Sequence, residues 1–316
     1  MTALLFFHQK QALRPIRIGI RNDLASMLID LAKEKEFFKN NGLDVEIKQY
    51  GSGKLAVDAL FRGEIDVAAA ADVPIAIDAL SHDDFSIIST ISEARSGIRI
   101  VARRNAGIVS VSDLRGKRIA VQESTAMHYF LSSLLLYGKI PESDVEVIFL
   151  SPTEIVQSLI DGKVDALSIR DPYVSEVKQK LANSILEFYG PQVYLETYNL
   201  VAKNEYIKNN KEVLLSFLQS ILQANNFLAN NTLEAKKAAA DKFYNGNILS
   251  VDQVWEDYAF GLSLNQSLLL SLENEARWWV NSRGGEKNIS PIPNFLNFIY
   301  KDFLIKLDSP NVTIIR

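Results

Sequence analysis

Apolar residues in the first third of the chain change period repeatedly, and each change predicts an element. Arg17-Ile18-Gly19-Ile20 is a short β-rich run. Leu24, Met27, Leu28, Leu31 and Phe38 then recur at helical spacing until Asn41-Gly42 offers a left-handed stop. Val45 and Ile47 alternate with polar neighbours, Gly51-Ser52-Gly53 turns the chain, and Leu55, Ala56, Ala59 and Leu60 form a second apolar helical face ending near Gly63. Ile65 to Ala71 reads as a third strand, small and buried. Strands and helices alternating at these lengths predict a parallel sheet covered on both faces.

The same order returns about a hundred residues later. Leu60-Phe61-Arg62-Gly63-Glu64-Ile65-Asp66, reaching Asp72 and Pro74, matches Leu159-Ile160-Asp161-Gly162-Lys163-Val164-Asp165, reaching Asp171 and Pro172. Arg17-Ile18-Gly19-Ile20 likewise matches Arg118-Ile119-Ala120-Val121. Two similar α/β units imply two lobes with a cleft between them; a single continuous sheet is the alternative. The expected division is residues 15–98 for the first lobe, 99–198 for the second, and 199–316 for a return to the first lobe with C-terminal helices. Thr197 to Ala202 predicts the returning strand. From Lys211 onward the pattern predicts amphipathic helices: Val213 to Leu222, Ala235 to Tyr244, Val254 to Leu262, Leu268 to Val280 and Phe295 to Leu304. Arg283-Gly284-Gly285 and Pro291-Ile292-Pro293 mark turns.

Composition narrows the function. A chain of 316 residues, 47% apolar, can bury one or two cores without a disulfide or structural metal. Its 34 basic and 38 acidic side chains are interspersed, which argues against a nucleic-acid surface. The absence of cysteine removes thiolate catalysis, thiolate metal sites and any lipid-anchoring cysteine from the chain. His8, His82 and His128 are scattered without metal-ligand spacing, so they read as surface or packing residues and no metal or other cofactor is expected. The apolar run Ala3 to Phe7, followed by His8 and Lys10, is shorter than the roughly 7 to 15 apolar residues of a secretory signal and far short of the ~20 that span a bilayer. No direct membrane insertion is therefore expected. Either an export signal has been trimmed or the protein stays inside the cell.

In open parallel sheets, ligands collect beyond the carboxyl ends of the strands, where turns and helix N-termini present free amides. The turns so placed are Arg21-Asn22-Asp23, Gly51-Ser52-Gly53, Ala71-Asp72-Val73, Glu123-Ser124-Thr125 and Arg170-Asp171-Pro172-Tyr173. Asp23, Asp72 and Ser124 could equally be helix N-caps worth about 1 kcal/mol each, a role compatible with ligand contact. Asp66 and Asp165, near strand beginnings, read as structural. Ser96, beside Arg95 and Gly97, lacks both the GxSxG turn and a histidine to activate it. Asp23, Asp72 and Asp171 stand on separate turns, better suited to binding ligand donors than to hydrolysing a bond. The residues point to binding and not to an enzyme.

Taken in order, several segments resemble a solute-binding protein of an ABC importer, in the branch that covers aliphatic sulfonates, nitrate, taurine and thiamine-precursor pyrimidines. They are Arg17-Ile18-Gly19-Ile20, Lys35-Glu36-Phe37-Phe38 running into Asn41-Gly42-Leu43-Asp44-Val45, Gly51-Ser52-Gly53, Gly63-Glu64-Ile65-Asp66-Val67, Asp113 to Val121, and Asp161 to Ala166. The resemblance covers about Pro15 to Arg316. It implies the two-lobed periplasmic-binding-protein fold of the second type, an α/β architecture of mostly parallel sheets with helices on both faces. It places hinges near Gly97 to Arg103 and Glu196 to Ala202, and the cleft positions on Asn22, Asp23, Ser52, Asp72, Ser96, Ser124, Thr125, Arg170 and Asp171. Hinge closure around a small solute, a permease and its ATPase as partners, and a periplasmic or extracytoplasmic location are implied as well. Arg170 departs from the family's frequent tryptophan, which removes an expected stacking surface. Three carboxylates in a cleft would repel an anion unless Arg170 or Arg95 offset them, so a ligand with amine or ring N–H donors, such as a pyrimidine, is expected ahead of an oxyanion. Relatives of this fold that make the thiamine pyrimidine are enzymes with a cysteine-rich motif absent here; a ligand-sensing domain is the further alternative.

Overall fold

The computed structural model describes residues 12–282 and 291–315; the run Ala3 to Phe7, His8, Lys10 and the turn Arg283-Gly284-Gly285 lie outside the described residues. Arg14–Arg21 (β1) pairs in parallel with Leu43–Tyr50 (β2) and with Val67–Ala71 (β3). Phe85–Ala94 (β4) leads through residues 95–97 into Ile98–Arg103 (β5), where a second sheet begins. That sheet adds Arg118–Val121 (β6), Glu146–Phe149 (β7), Ala166–Arg170 (β8) and Ile185–Phe188 (β9). Glu196–Lys203 (β10) returns to the first sheet, which Tyr258–Ser263 (β11) completes. The strand orders are β11-β4-β10-β3-β1-β2 and β7-β6-β8-β5-β9.

The repeated motif has a physical basis in each sheet. Asp66 accepts the backbone N–H of Arg17 and its guanidinium, while Arg17 also reaches the carbonyl of Gly63. Asp165 does the same for Arg118, which reaches the carbonyl of Gly162. An arginine on one strand, within β1 in the first sheet and at the start of β6 in the second, thus clamps the glycine turn and the aspartate that precede the neighbouring strand. In the second sheet, Ile119 and Val121 face one apolar layer and Ala120 the other, as the period of a strand covered on both faces requires. The layer holding Ile119 also takes in Ala71 at the end of β3, Val73 just beyond it and Trp278 of the helix Gln266–Ser282, so apolar packing is continuous between the lobes.

Three expectations need correction. Both sheets are mixed and not mostly parallel: β10 is antiparallel to β3 and β4, β11 to β4, and β5 to β8 and β9. The antiparallel strands β4, β5, β9 and β10 flank the two crossovers, which a pattern of alternating elements does not reveal. Val254 to Leu262 is not one helix; the helix Ile248–Trp255 stops and Tyr258, Phe260 and Leu262 alternate along an edge strand on β4. The available edge of β4 selects the two-residue period over the helical one. Phe295 to Leu304 divides into a 3-10 turn, Phe295–Phe298, and a helix, Asp302–Asp308, because Ile299 between them bridges to Ile87 of β4.

Candidate functional site

The carboxyl ends of β1, β2, β3 and β8 and the turn beyond β6 surround a cavity of about 290 Å³ between the sheets. Asn22, Asp23, Ser52, Thr125, Arg170 and Asp171 line it together with Arg21, Gln49, Tyr50, Lys54, Met127 and Tyr173. Ser52 caps the helix Gly53–Phe61 by accepting the amide of Leu55, and Thr125 caps the helix Ala126–Tyr137 by accepting the amide of His128. The first amides of a helix have no intrahelical acceptor, so two helix starts, one from each lobe, bring partial positive charge to the same space. Gln122 Nε2 donates to Ser52 Oγ at 3.1 Å and ties those two starts together across the cleft. Gly53 lets its helix approach β3; a Cβ there would stand 3.0 Å from the Cα of Ala70.

Buried charge forms the other wall. Arg170 donates from both Nη atoms to the two oxygens of Glu196, each at 2.7 Å, joining β8 of one lobe to β10 of the other. Arg21 donates to Glu196 Oε1 at 3.1 Å, lies 2.8 Å from Asp23 Oδ2 and stacks on Tyr198. Burial pushes the Glu196 carboxyl up, but the Arg170 and Arg21 guanidiniums override it and hold the group below its ordinary range. Asp171 accepts from Arg99 Nη2 at 3.3 Å and from the backbone and hydroxyl of Ser175. Lys54 pairs with Asp58 one helical turn on. Each charged side chain on the wall therefore carries a counter-charge from the protein itself.

Asp72, Ser96 and Ser124 are not on the cavity wall. Asp72 is fully buried and accepts from Tyr194 Oη, the Thr197 amide, Thr197 Oγ1 and the Val73 amide, so it anchors the crossover that leads into β10. Burial raises its pKa to about 6 in spite of those donors. Ser96 is half-buried in the crossover between β4 and β5. Ser124 is buried with φ 59°, a left-handed conformation that costs a non-glycine residue about 1–3 kcal/mol and directs the chain into the Thr125 cap. Arg95, expected to offset the carboxylates, is exposed and does not line the cavity. The expectation of three uncompensated carboxylates fails with these placements, because Asp72 is elsewhere and Asp23 and Asp171 face Arg21 and Arg99.

Sequence reasoning missed Gln49, Tyr50, Lys54, Glu196 and Gln122 as site residues, and placed Arg21 in a ligand turn without counting it among the cleft positions. Arg21 was legible as the neighbour of Asn22-Asp23. Glu196 had no local signal, since its meaning comes from two arginines far away in sequence.

A family profile described as "NMT1/THI5 like" matches residues 25–235. A protein of Bacillus subtilis (strain 168) named for aliphatic sulfonate binding is 28% identical over 212 residues, 66% of this chain and 63% of that relative, so less than two thirds of the relative is spanned. The crystal structure of the periplasmic aliphatic sulphonate binding protein SsuA from Escherichia coli superposes with a TM-score of 0.74 at 18% identity, over 92% of this chain and 98% of that one. The desulfurization enzyme DSZB also superposes, with a TM-score of 0.64 at 13% identity, over 93% of this chain and 98% of that one. At such identities the structural likenesses establish the two-lobed fold alone.

Proposed function

From the premise that this chain belongs to the NMT1/THI5-like family, we propose that it is the solute-binding component of an ABC importer, capturing a small polar organic molecule between its lobes by hinge closure. The observation that carries this reading is the convergence of two helix starts from opposite lobes, at Ser52 and Thr125, on one cavity joined by the Gln122–Ser52 hydrogen bond. A guest that touches both lobes favours the closed arrangement by its differential contacts. The preferred ligand carries an oxyanion, sulfonate in type, for which helix amides and the Ser52 hydroxyl are suitable donors, the Thr125 hydroxyl being engaged with the Gln122 carbonyl. This reverses the order expected from the sequence, which put a pyrimidine first, because the carboxylates that motivated it are compensated.

A carrier that docks on a permease with its ATPase and works outside the cytoplasmic membrane follows from the same reading, supported by the periplasmic relatives. No described helix is long and apolar enough to cross a membrane. Binding is favoured over catalysis because the charged groups on the wall are held in ion pairs, Arg21 with Asp23 and the others with residues behind the wall, leaving no evident base beside a nucleophile. The test is a thermal-unfolding panel of alkanesulfonates, taurine, nitrate and an aminopyrimidine. A ligand at a hundred times its dissociation constant adds about 2.7 kcal/mol of stability. Silence across the panel refutes the ligand classes, and turnover of any member refutes the carrier.

A further inference from the structure

A second cavity, of about 480 Å³, opens behind the start of the helix Ala126–Tyr137, in the seam where Trp279 from the helix Gln266–Ser282 faces β7 and the turn before it. Its wall combines two carboxylates, Glu123 and Glu142, with the rings of Phe149 and Trp279 and the imidazole of His128. Among the described residues lining it there is no lysine or arginine. His128 is only 3% exposed, and neither ring nitrogen has a hydrogen-bond partner. Glu142 Oε1 stands 3.7 Å from Nε2, beyond a well-formed hydrogen bond but within ion-pair reach of the imidazole. Phe149, the outer ring, meets the imidazole edge-on at 5.0 Å and is 47% exposed. Ser132 Oγ donates to Glu142 at 2.8 Å, and His128 and Ser132 outweigh burial in holding this carboxyl below its ordinary range.

We propose that this cavity is a binding site for a small organic cation, an ammonium carrying methyl or alkyl groups. Aromatic faces attract cations through their quadrupoles and shed water readily, while flanking carboxylates supply the opposite charge. A bare metal ion fits poorly, since among the described residues no group of three or more His, Cys, Asp or Glu could hold one. An anion would meet Glu123 and Glu142. The ligand class is therefore opposite in charge to that assigned to the first cavity; the site itself does not depend on that reading, and only its link to closure rests on it. The two sites stand back to back: Glu123 and His128 lie on either side of Thr125 and Ala126, which line the first cavity. An occupant would touch the second lobe and the helix anchored on the first, so binding here and closure there are reciprocally linked.

The probe is choline, compared with its uncharged carbon isostere dimethylbutanol, titrated into the full chain and followed by tryptophan fluorescence and by calorimetry. Saturable binding of choline, at least tenfold tighter than the isostere and at least tenfold weaker in Glu142→Gln or Phe149→Leu, is the expected result. No saturable response, equal binding of the isostere, or unchanged affinity in both variants overturns the proposal. Glu142 and Phe149 are partly exposed, and should one variant fail to fold the other decides.

Discussion

Replacing Glu275 by glutamine isolates the cost of the least compensated carboxyl in the described structure. Glu275 lies on the helix Gln266–Ser282, 1% exposed, with no N–H or O–H donor for either oxygen and the Asp72 carboxylate as the acceptor of its own proton. The titratable groups that face it are Asp72 from the helix Asp72–Asp78, Glu196 from β10, Tyr129 from the helix Ala126–Tyr137, and Tyr194 from the crossover. None is a cation. Burial first, then the charge of Asp72, holds Glu275 well above its ordinary carboxylate value, so the folded protein keeps its proton. An unfolded chain loses that proton near pH 4.5. A group whose folded pKa is raised contributes stability that is present below the unfolded value and lost as pH rises towards the folded one. The wild type should therefore lose about 1.4 kcal/mol per pH unit on this account, levelling off where folded Glu275 finally ionises. Glutamine keeps the shape, has an N–H to offer Asp72 and does not titrate. The rise of Asp72 to about 6 is common to both proteins and cancels to first order in the difference. Urea unfolding between about pH 5 and pH 8 measures it. The stability of Glu275→Gln relative to wild type should climb with pH at up to that slope. Parallel curves for the two proteins would refute the reasoning and mean that Glu275 is ionised beside water or an unseen counter-charge.

Three further outcomes are expected. Glu196→Gln leaves Arg170 and Arg21 buried with a neutral partner and should destabilise the fold by about 3–5 kcal/mol at neutral pH; because the folded pKa of Glu196 is depressed, that difference should shrink as pH falls below its unfolded value, which unfolding curves in acid will show. Gln122→Ala removes the hydrogen bond across the cleft, worth about 0.5–1.5 kcal/mol, and should weaken ligand binding by roughly 2- to 13-fold with little change in the unfolding midpoint without ligand. Gly53→Ala forces a Cβ against the backbone of Ala70 and Ala71 and should cost about 1–3 kcal/mol of stability with a larger proportional loss of binding, measured by thermal unfolding and calorimetry.

The amino-acid order by itself determined the alternation of strands and helices, because apolar period and glycine stops are local properties. It also determined the repeat in which arginine, glycine and aspartate recur in register about a hundred residues apart, and the structure shows that they form a clamp. The turns that carry Asn22, Asp23, Ser52, Thr125, Arg170 and Asp171 were legible for the same reason, since a strand feeding a helix leaves its turn at one end of a sheet. Only the tertiary structure decided which charges face the cavity. Asp72 and Asp171 occupy equivalent places in the repeat, yet one is sealed under Tyr194 and Thr197 while the other lines the cleft beside Arg99. The direction of the crossover strands, the strand at Tyr258–Ser263 and the pairing of Arg170 with Glu196 were likewise settled by contacts distant along the chain. Coulomb energy depends on distance and burial in space, and neither is written in the spacing of residues along a strand.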